Sequence, residues 1–143
     1  MMTEERFLQA GGCHCRALRY TLTKNPLDVY LCQCTDCQRL SGAAFGIGVV
    51  VPADAFTLTG TPRWVQRVLG SGRTGNRWTC GECGAWICGD SRPDRVTSHE
   101  RRIVRGGTVD DTSWLSRTRH VWARSAQPWF IFPEGAAVYQ TQP

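Results

Sequence analysis

Two cysteines three residues apart form the strongest metal-binding motif of this sequence. In Cys80-Gly-Glu-Cys83-Gly84 a tight turn directs both sulfur atoms toward one point, and Gly84 permits the positive φ that such a turn often needs. Cysteine pairs at this spacing are typical zinc ligands, and a structural zinc ion requires four ligands in all. A second pair must therefore come from elsewhere in the chain.

The segment Cys13-His14-Cys15 is the natural source of that second pair. Side chains at positions i and i+2 of a strand share one face, so both thiols can reach the same ion while His14 points away. Such a site contributes on the order of 10 kcal/mol of apparent binding free energy to folding, which makes its role structural. We predict a four-thiolate zinc site formed by Cys13, Cys15, Cys80 and Cys83.

A third group, in the segment Cys-Gln-Cys-Thr-Asp-Cys that begins at residue 32, places three thiols within six residues. No fourth ligand is supplied locally, and three protein ligands with one open position are typical of a catalytic zinc. The alternative is a closed site with Cys88 or a histidine as the fourth ligand, although Cys88 lies in an apolar segment and resembles a buried core thiol. The predicted catalytic and metal-binding residues of this second site are Cys32, Cys34 and Cys37.

An open three-thiolate site favours a particular kind of chemistry. Three thiolates leave a zinc centre negatively charged, which makes it a poor acid toward water. A thiol is the better fourth partner, because soft sulfur suits this ligand set and a bound thiol ionises readily. A nearby arginine can offset the added negative charge. Arg39, next to the triplet, is the first candidate, and the alternative is a solvated side chain on a short helix.

Metal binding by these cysteines depends on a reducing compartment. The first ten residues carry two acids and no apolar run of signal-peptide length, and no stretch approaches the roughly 20 apolar residues of a membrane span. We therefore expect a cytoplasmic protein without membrane association, in which thiols stay reduced. Disulfides are the alternative, and an open three-thiolate site that loses its zinc can itself oxidise to one.

The charged residues argue against a nucleic-acid partner. The net charge of +5 comes from 16 arginines and a single lysine, Lys24. The arginines are scattered along the chain, which favours a solvated surface over a dedicated anion-binding face. A zinc-ribbon module for nucleic acid is thus the less favoured alternative function, since such modules cluster their basic residues.

The elements that must position these cysteines are short strands. Alternating apolar segments separated by turn residues recur without a composition break, which predicts an all-β fold and one domain over residues 1–143. One short helix is predicted over Thr35–Ser41, capped by Thr35 and ended by Gly42. Residues 89–102 are predicted as an exposed polar loop, and most of the six tryptophans are expected to pack in the core or on the sheets. The predicted strands are residues 18–22, 29–32, 45–51, 56–59, 64–69, the two arms of a hairpin over 78–88, 103–104, 121–122 and 129–132.

The order of these motifs resembles the glutathione-dependent formaldehyde-activating (GFA-like) family. The resemblance rests on Gly-Gly-Cys-His-Cys from residue 11, Cys-x-Cys-x-x-Cys-Gln-Arg-x-Ser-Gly-Ala from residue 32, and Cys-x-x-Cys-Gly from residue 80. Gly-Thr-Val-Asp-Asp at 107–111, His-Val-Trp at 120–122 and Gln-Pro-Trp at 127–129 also resemble the family. The similarity extends over residues 11–132.

The resemblance implies a mainly all-β fold of several short coiled antiparallel sheets with zinc-bearing hairpins and little helix, shared with a small Rab-binding exchange factor. It implies two zinc ions, one on each of the cysteine sets given above. The implied activity is that of a carbon–sulfur lyase that joins formaldehyde to the thiol of glutathione, or releases it, through S-hydroxymethylglutathione. Glutathione or a related small thiol is the expected partner. A non-catalytic module like the exchange factor is the alternative, and it rests on the fold alone.

Position 33 departs from the family, which usually has histidine there. Gln33 lies between Cys32 and Cys34, and we expect its side chain to face away from the metal. The departure argues against a role for this position in proton transfer or in orienting a ligand.

Overall fold

The computed structural model describes residues 6–68, 72, 74–90, 101–116 and 119–143. Within these ranges the chain forms eleven short strands and one α-helix. In chain order they are β1 (Gln9–Gly12), β2 (Arg19–Leu22), β3 (Asp28–Cys32), α1 (Thr35–Ser41), β4 (Gly46–Pro52), β5 (Phe56–Thr59), β6 (Arg63–Val68), β7 (Thr74–Thr79), β8 (Trp86–Asp90), β9 (Arg101–Arg105), β10 (Arg119–Val121) and β11 (Ala137–Val138).

The strands form two sheets, which confirms the predicted mainly all-β fold with little helix. The smaller sheet has the order β1-β2-β5, and the larger has the order β11-β10-β3-β4-β9-β8-β7-β6. Neighbouring strands are antiparallel except at one edge, where β10 pairs in parallel with both β3 and β11. That parallel edge is a departure from the purely antiparallel sheets that were expected. It places the segment after β10 beside the end of β3, where the three-cysteine motif begins.

The core joins the two sheets. Tyr20 and Leu22 of β2 are buried against the larger sheet, whose own contribution includes Val49, Val51 and Val104. The continuous apolar run predicted for residues 45–51 forms most of β4, a central strand. Cys13 and Cys80 belong to the same buried cluster, so one of the cysteine motifs is anchored directly in the core.

The predicted helix is confirmed, and its predicted cap is wrong. The helix α1 ends at Gly42, which has the left-handed φ of 64° that favours glycine. The N-cap is Cys34 rather than Thr35, because the Cys34 sulfur accepts the backbone N–H of Cys37 at 3.3 Å. A cysteine thus performs the capping role that a hydroxyl or carboxylate usually has.

The predicted strand over residues 129–132 is wrong. Phe130 makes edge contacts with the rings of Phe45 and Phe132, and His120 contacts both Phe130 and Phe132. These aromatic side chains are used in packing on the sheet instead of in a strand ladder, although their β-propensity is high.

Some predictions fall partly outside the described residues. The predicted strand over 64–69 is confirmed through Val68, whereas Leu69 and Ser71 of the following turn are outside the described ranges. The predicted loop over 89–102 is wrong at its ends, since Gly89 and Asp90 belong to β8 and Arg101 begins β9, and residues 91–100 are not described. In the ranges that are described, the chain has no helix with the length and apolar character to cross a membrane.

Packing at Gly11 generates a first prediction. A Cβ at this position would lie 2.3 Å from Tyr20 Oη and 2.4 Å from the carbonyl oxygen of Thr108. Because a backbone atom cannot yield as a flexible side chain does, Gly11→Ala should lower the free energy of unfolding by about 2 kcal/mol. Urea unfolding of the metal-loaded protein measures this, with Gly107→Ala as the control because a Cβ there meets nothing within 4 Å. Equal stability of the two variants would contradict the close packing of β1 on Thr108.

Candidate metal centres

The four cysteines of the predicted structural site lie together. Each offers one sulfur, and the four sulfurs are all within 4.8 Å of one another. The Cys15 Sγ is 3.6 Å from the Sγ atoms of both Cys13 and Cys80. Cys13 and Cys80 are buried, whereas Cys15 and Cys83 are exposed, and His14 is exposed and outside the group. We call Cys13, Cys15, Cys80 and Cys83 the four-cysteine cluster, and its geometry can hold a metal ion.

The first pair reaches this cluster from a turn, which corrects the predicted strand geometry. Strand β1 ends at Gly12, and the carbonyl of Cys13 accepts the N–H of Arg16 at 3.2 Å. Arg16 has a left-handed φ of 69°, so the chain reverses tightly between β1 and β2. The Leu18 N–H also donates to the Cys13 sulfur at 3.2 Å. The turn itself, not strand alternation, therefore brings the two sulfurs together.

The second pair lies on the tight turn between β7 and β8, as predicted. The Gly84 N–H donates to the Cys80 carbonyl at 2.9 Å, and Gly84 has a left-handed φ of 77°. The N–H groups of Glu82 and Cys83 point at the Cys80 sulfur, at 3.4 and 3.5 Å. Backbone donors also lower the pKa of the Cys83 thiol to about 6, chiefly the N–H of Ala85. This turn stabilises thiolates, the form that binds metal.

The second group of cysteines also lies together. The sulfurs of Cys32, Cys34 and Cys37 are all within 4.8 Å of one another, and we call this group the three-cysteine cluster. Cys32 ends β3, Cys34 caps α1 and Cys37 lies in its first turn. A strand that runs directly into a short helix therefore gathers three sulfurs within six residues.

The three-cysteine cluster is arranged to carry negative charge. The thiols of Cys32 and Cys37 and the backbone N–H groups of Cys37 and Asp36 donate to the Cys34 sulfur, and they lower its pKa to about 2 despite burial. The pKa of Cys32 is raised, since its thiol donates to the other two sulfurs and is itself buried. A thiolate at Cys34, flanked by two further sulfurs, is a donor set suited to a soft or borderline metal ion.

No fourth cysteine, histidine or carboxylate of the described residues joins this cluster. Cys88 is fully buried in the core, and burial raises the pKa of its thiol to about 12, as expected of a structural cysteine. His120 is buried against Phe130 and Phe132. His99 lies outside the described residues. Three ligands with an open position therefore stay a prediction, with Cys32, Cys34 and Cys37 the residues of the described chain that could hold a metal ion here.

A pocket of about 450 Å³ adjoins the three-cysteine cluster, and Cys34 and Cys37 form part of its wall. This volume is in the range of small-molecule sites. The walls come from β3, from α1, from β6 to β9 and from the segment after β10. The charged and aromatic residues that line it are Tyr30, Asp36, Arg67, Arg77, Trp86, Asp90, Arg105, Trp122 and Arg124.

Four arginines on this wall are the functional candidates that the sequence did not single out. Arg67 is ion-paired with Asp36 across the pocket at 2.7 Å. Arg77, Arg105 and Arg124 have no ion pair with any described carboxylate. The sequence contains one signal for Arg105. Side chains alternate between the two faces of a strand, so Val104 in the core places Arg105 on the opposite face of β9.

Arg39, the first candidate for offsetting thiolate charge, is exposed and does not line the pocket. Arg105 lies close to the three-cysteine cluster instead. Its guanidinium carbon is 3.9 Å from the centre of the Trp86 ring, and only 8% of the residue is exposed. The hydrogen bond from the Cys32 thiol and the charge of the Arg105 guanidinium both favour the thiolate form of Cys37, whereas the Cys34 sulfur and burial raise the pKa of that thiol on balance.

The backbone next to the pocket is strained at Trp122. This residue has φ 59° and ψ 37°, in the left-handed region that large side chains rarely adopt. Arg124 stacks on its ring at 4.9 Å from the centre. Such conformations cost of order 1–3 kcal/mol and concentrate at functional sites. Trp122 and Arg124 both line the pocket, and Trp86 is the other of the six tryptophans that does so.

The sequence is similar to known proteins over most of its length. The family model described as glutathione-dependent formaldehyde-activating enzyme matches residues 8–125. A Penicillium rubens protein is 34% identical over 90 residues, which are 59% of this chain and 47% of that protein. A Sordaria macrospora protein is 31% identical over 83 residues, 54% of this chain and 35% of that protein. Both carry the provisional name glutathione-dependent formaldehyde-activating enzyme, and the matched region spans about a third to a half of their length.

One solved structure shares the fold. It is the crystal structure of a Rhodobacter sphaeroides protein, which superposes with a TM-score of 0.53 at 17% identity. The superposition covers 91% of this chain and 98% of that one. At this identity the likeness concerns the arrangement of strands alone.

Replacing one cysteine should affect folding and metal content differently in the two clusters. Cys80→Ser removes a ligand anchored in the core, and it should unfold or aggregate the protein, because metal binding worth on the order of 10 kcal/mol is comparable with the whole stability of a domain. Cys34→Ser should stay folded with one metal ion, since the serine hydroxyl can still cap α1. Metal content per chain and circular dichroism measure both. Cys88→Ala is the control, with two metal ions retained and a cost of about 1 kcal/mol. Equal destabilisation by Cys80→Ser and Cys34→Ser would contradict the division of roles.

Two glutamines beside the three-cysteine cluster differ in their hydrogen bonds. Gln33 is fully buried, and its side-chain Nε2 and Oε1 have no hydrogen-bond partner among the described residues. Gln38 donates from Nε2 to the carbonyls of Gln33 and Ser125, both at 2.8 Å, and accepts at Oε1 from Gln127 at 3.2 Å. Gln33→Leu should leave the free energy of unfolding unchanged or raise it by about 1 kcal/mol, whereas Gln38→Leu should lower it by roughly 1–3 kcal/mol. Chemical denaturation measures both. A large loss in Gln33→Leu would show that this amide has a polar partner in solution.

Proposed function

Because the chain belongs to the family of glutathione-dependent formaldehyde-activating enzymes, we propose that it is a carbon–sulfur lyase that adds formaldehyde to the thiol of glutathione or removes it. The observation that carries this proposal is the contact between the three-cysteine cluster and the arginine-lined pocket, where Cys34 and Cys37 form part of the wall. A thiol substrate in this pocket would meet the cluster directly.

Zinc is the proposed metal at both clusters. Four thiolates on two tight turns suit a closed structural zinc site, and three thiolates suit zinc with a position open to substrate. When bound by Cys32, Cys34 and Cys37, zinc would favour ionisation of a substrate thiol at neutral pH. These three cysteines are the proposed catalytic residues, within a domain taken as residues 1–143. A cytoplasmic location belongs to the proposal, since it keeps thiols reduced.

The proposed reaction is balanced without a further reactant. The thiol sulfur of glutathione attacks the carbonyl carbon of formaldehyde, a carbon–sulfur bond forms, and the thiol proton ends on the former carbonyl oxygen. The product is S-hydroxymethylglutathione, and the reverse reaction breaks the same bond. The chain's part is to hold the sulfur as a thiolate and to orient the rest of glutathione.

The arginines of the pocket support an anionic substrate. Glutathione carries two carboxylates, and arginine binds a carboxylate through two parallel hydrogen bonds. Arg77 is half-buried, which lowers the pKa of its guanidinium, and it has no described carboxylate partner. Arg124, which also lines the pocket, is stacked on the ring of Trp122. Arg77 and Arg124 are therefore proposed to bind the two carboxylates.

A cobalt-substituted protein tests the proposal. Sulfur-to-cobalt charge-transfer bands report on thiolate ligands, so glutathione should change the spectrum in a saturable way while both metal ions are retained. S-methylglutathione, which has the same carboxylates and no free thiol, should produce no such change. Formation of S-hydroxymethylglutathione above the uncatalysed rate is measured in parallel by carbon-13 NMR. An unchanged spectrum in protein that retains two metal ions would contradict the proposal.

A further inference from the structure

Arg105 is a buried cation with no described counter-ion. It ends β9, only 8% of the residue is exposed, and it is the one charged residue among the buried positions of the described chain. None of the ion pairs of the described residues includes it. An unpaired buried charge is costly, so its position calls for an anion close by.

Two features hold the guanidinium in place. The Trp86 ring lies beneath it at 3.9 Å, and the indole N–H of Trp86 donates to the carbonyl of Cys88 at 3.0 Å, which fixes the ring. On the other side is Gly46, the first residue of β4. A Cβ at Gly46 would lie 2.0 Å from Arg105 Nη2 and 3.5 Å from Cys37 Cβ. The guanidinium thus occupies the space that a side chain at Gly46 would take, immediately beside the three-cysteine cluster.

The charge of the cluster explains why a cation is placed there. Three thiolates and a divalent ion sum to one negative charge, and a substrate thiolate raises this to two. In a partly buried site such like-charge repulsion is only weakly screened by water. A fixed guanidinium next to Cys37 offsets it without a proton transfer, because arginine stays protonated.

We propose that Arg105 is a positioning residue that makes the site prefer an anionic thiolate over a neutral donor, with Gly46 as the residue that leaves room for it. This inference rests on the proposed function, in which a thiol meets the three-cysteine cluster. It separates the role of Arg105, which acts on the sulfur, from those of Arg77 and Arg124, which are proposed to bind carboxylates.

Two small probes separate charge from packing. The thiolate of 2-mercaptoethanol is an anion without any carboxylate, and imidazole is a neutral donor. Both are titrated into the cobalt-loaded protein and followed by the visible spectrum. Arg105→Gln should weaken 2-mercaptoethanol binding by about tenfold or more and leave imidazole binding within about twofold. Arg105→Lys should restore part of the thiolate affinity, because it restores the charge without the fork geometry.

Matched controls assign the effect to this position. Arg39→Gln removes the same charge from an exposed residue next to the cluster in sequence, and it should leave both affinities unchanged. Gly46→Ala should reproduce the loss seen in Arg105→Gln by displacing the guanidinium. Gly107→Ala, where a Cβ meets nothing within 4 Å, should not. The glycine pair also keeps the test informative if Arg105→Gln fails to fold.

Several results would overturn the inference. Equal weakening of both probes in Arg105→Gln would mean that the residue only supports packing or metal retention, and unchanged thiolate affinity would mean that it has no role. A wild-type protein that binds neither probe would overturn it together with the proposed function. If wild type binds 2-mercaptoethanol in an Arg105-dependent way but does not respond to glutathione, the proposed substrate is wrong and the role of Arg105 stands.

Discussion

Four sulfur atoms from two turns must meet at one point, and the rest of the molecule is arranged around that requirement. The Cys15 and Cys80 sulfurs are 65 residues apart in sequence and 3.6 Å apart in space. The turn between β1 and β2 belongs to the smaller sheet and the turn between β7 and β8 to the larger one. The four-cysteine cluster therefore links the two sheets, and two of its members, Cys13 and Cys80, are part of the buried core. Strands of two to seven residues bury little surface each. A metal ion here would supply stability that such short strands lack.

The turn between β7 and β8 also connects the four-cysteine cluster to the three-cysteine cluster, whose residues are the proposed catalytic ones. Trp86 begins β8 directly after the turn that carries Cys80 and Cys83, and its ring supports the guanidinium of Arg105. Arg105 in turn lies beside Cys37 across Gly46. Trp86, Arg105 and Gly46 thus form a continuous series of contacts between the two clusters. This connection gives a physical reason for both cysteine groups to occur in one small fold, which a nucleic-acid module or a simple scaffold would not require.

The three-cysteine cluster could be predicted from sequence because its members are close together in the chain. The four-cysteine cluster could be predicted because two cysteine pairs together supply the four ligands that a structural zinc ion requires. The paths by which they converge were harder to predict. The sequence predicts a strand at Cys13 and Cys15, which lie in a turn, because alternation describes strands and not the left-handed reversal at Arg16. Cys34 caps the helix in place of Thr35, since the sulfur that lies beside Cys32 and Cys37 also accepts from the first turn of α1. Which arginines line the pocket depends on which face of β7 and of β9 is turned toward the three-cysteine cluster. That orientation is set by pairing between strands that are distant in sequence, and arginines scattered along the chain give no local pattern from which to predict it.

In the proposed function one cluster holds the fold and the other meets a substrate thiol. Cadmium-113 NMR of the fully substituted protein tests it most directly, because each cadmium ion reports on its own sulfur ligands. We expect two resonances, of which glutathione shifts only the one that is lost in Cys34→Ser. A single resonance, or a glutathione-induced shift of both resonances or of neither, would contradict it.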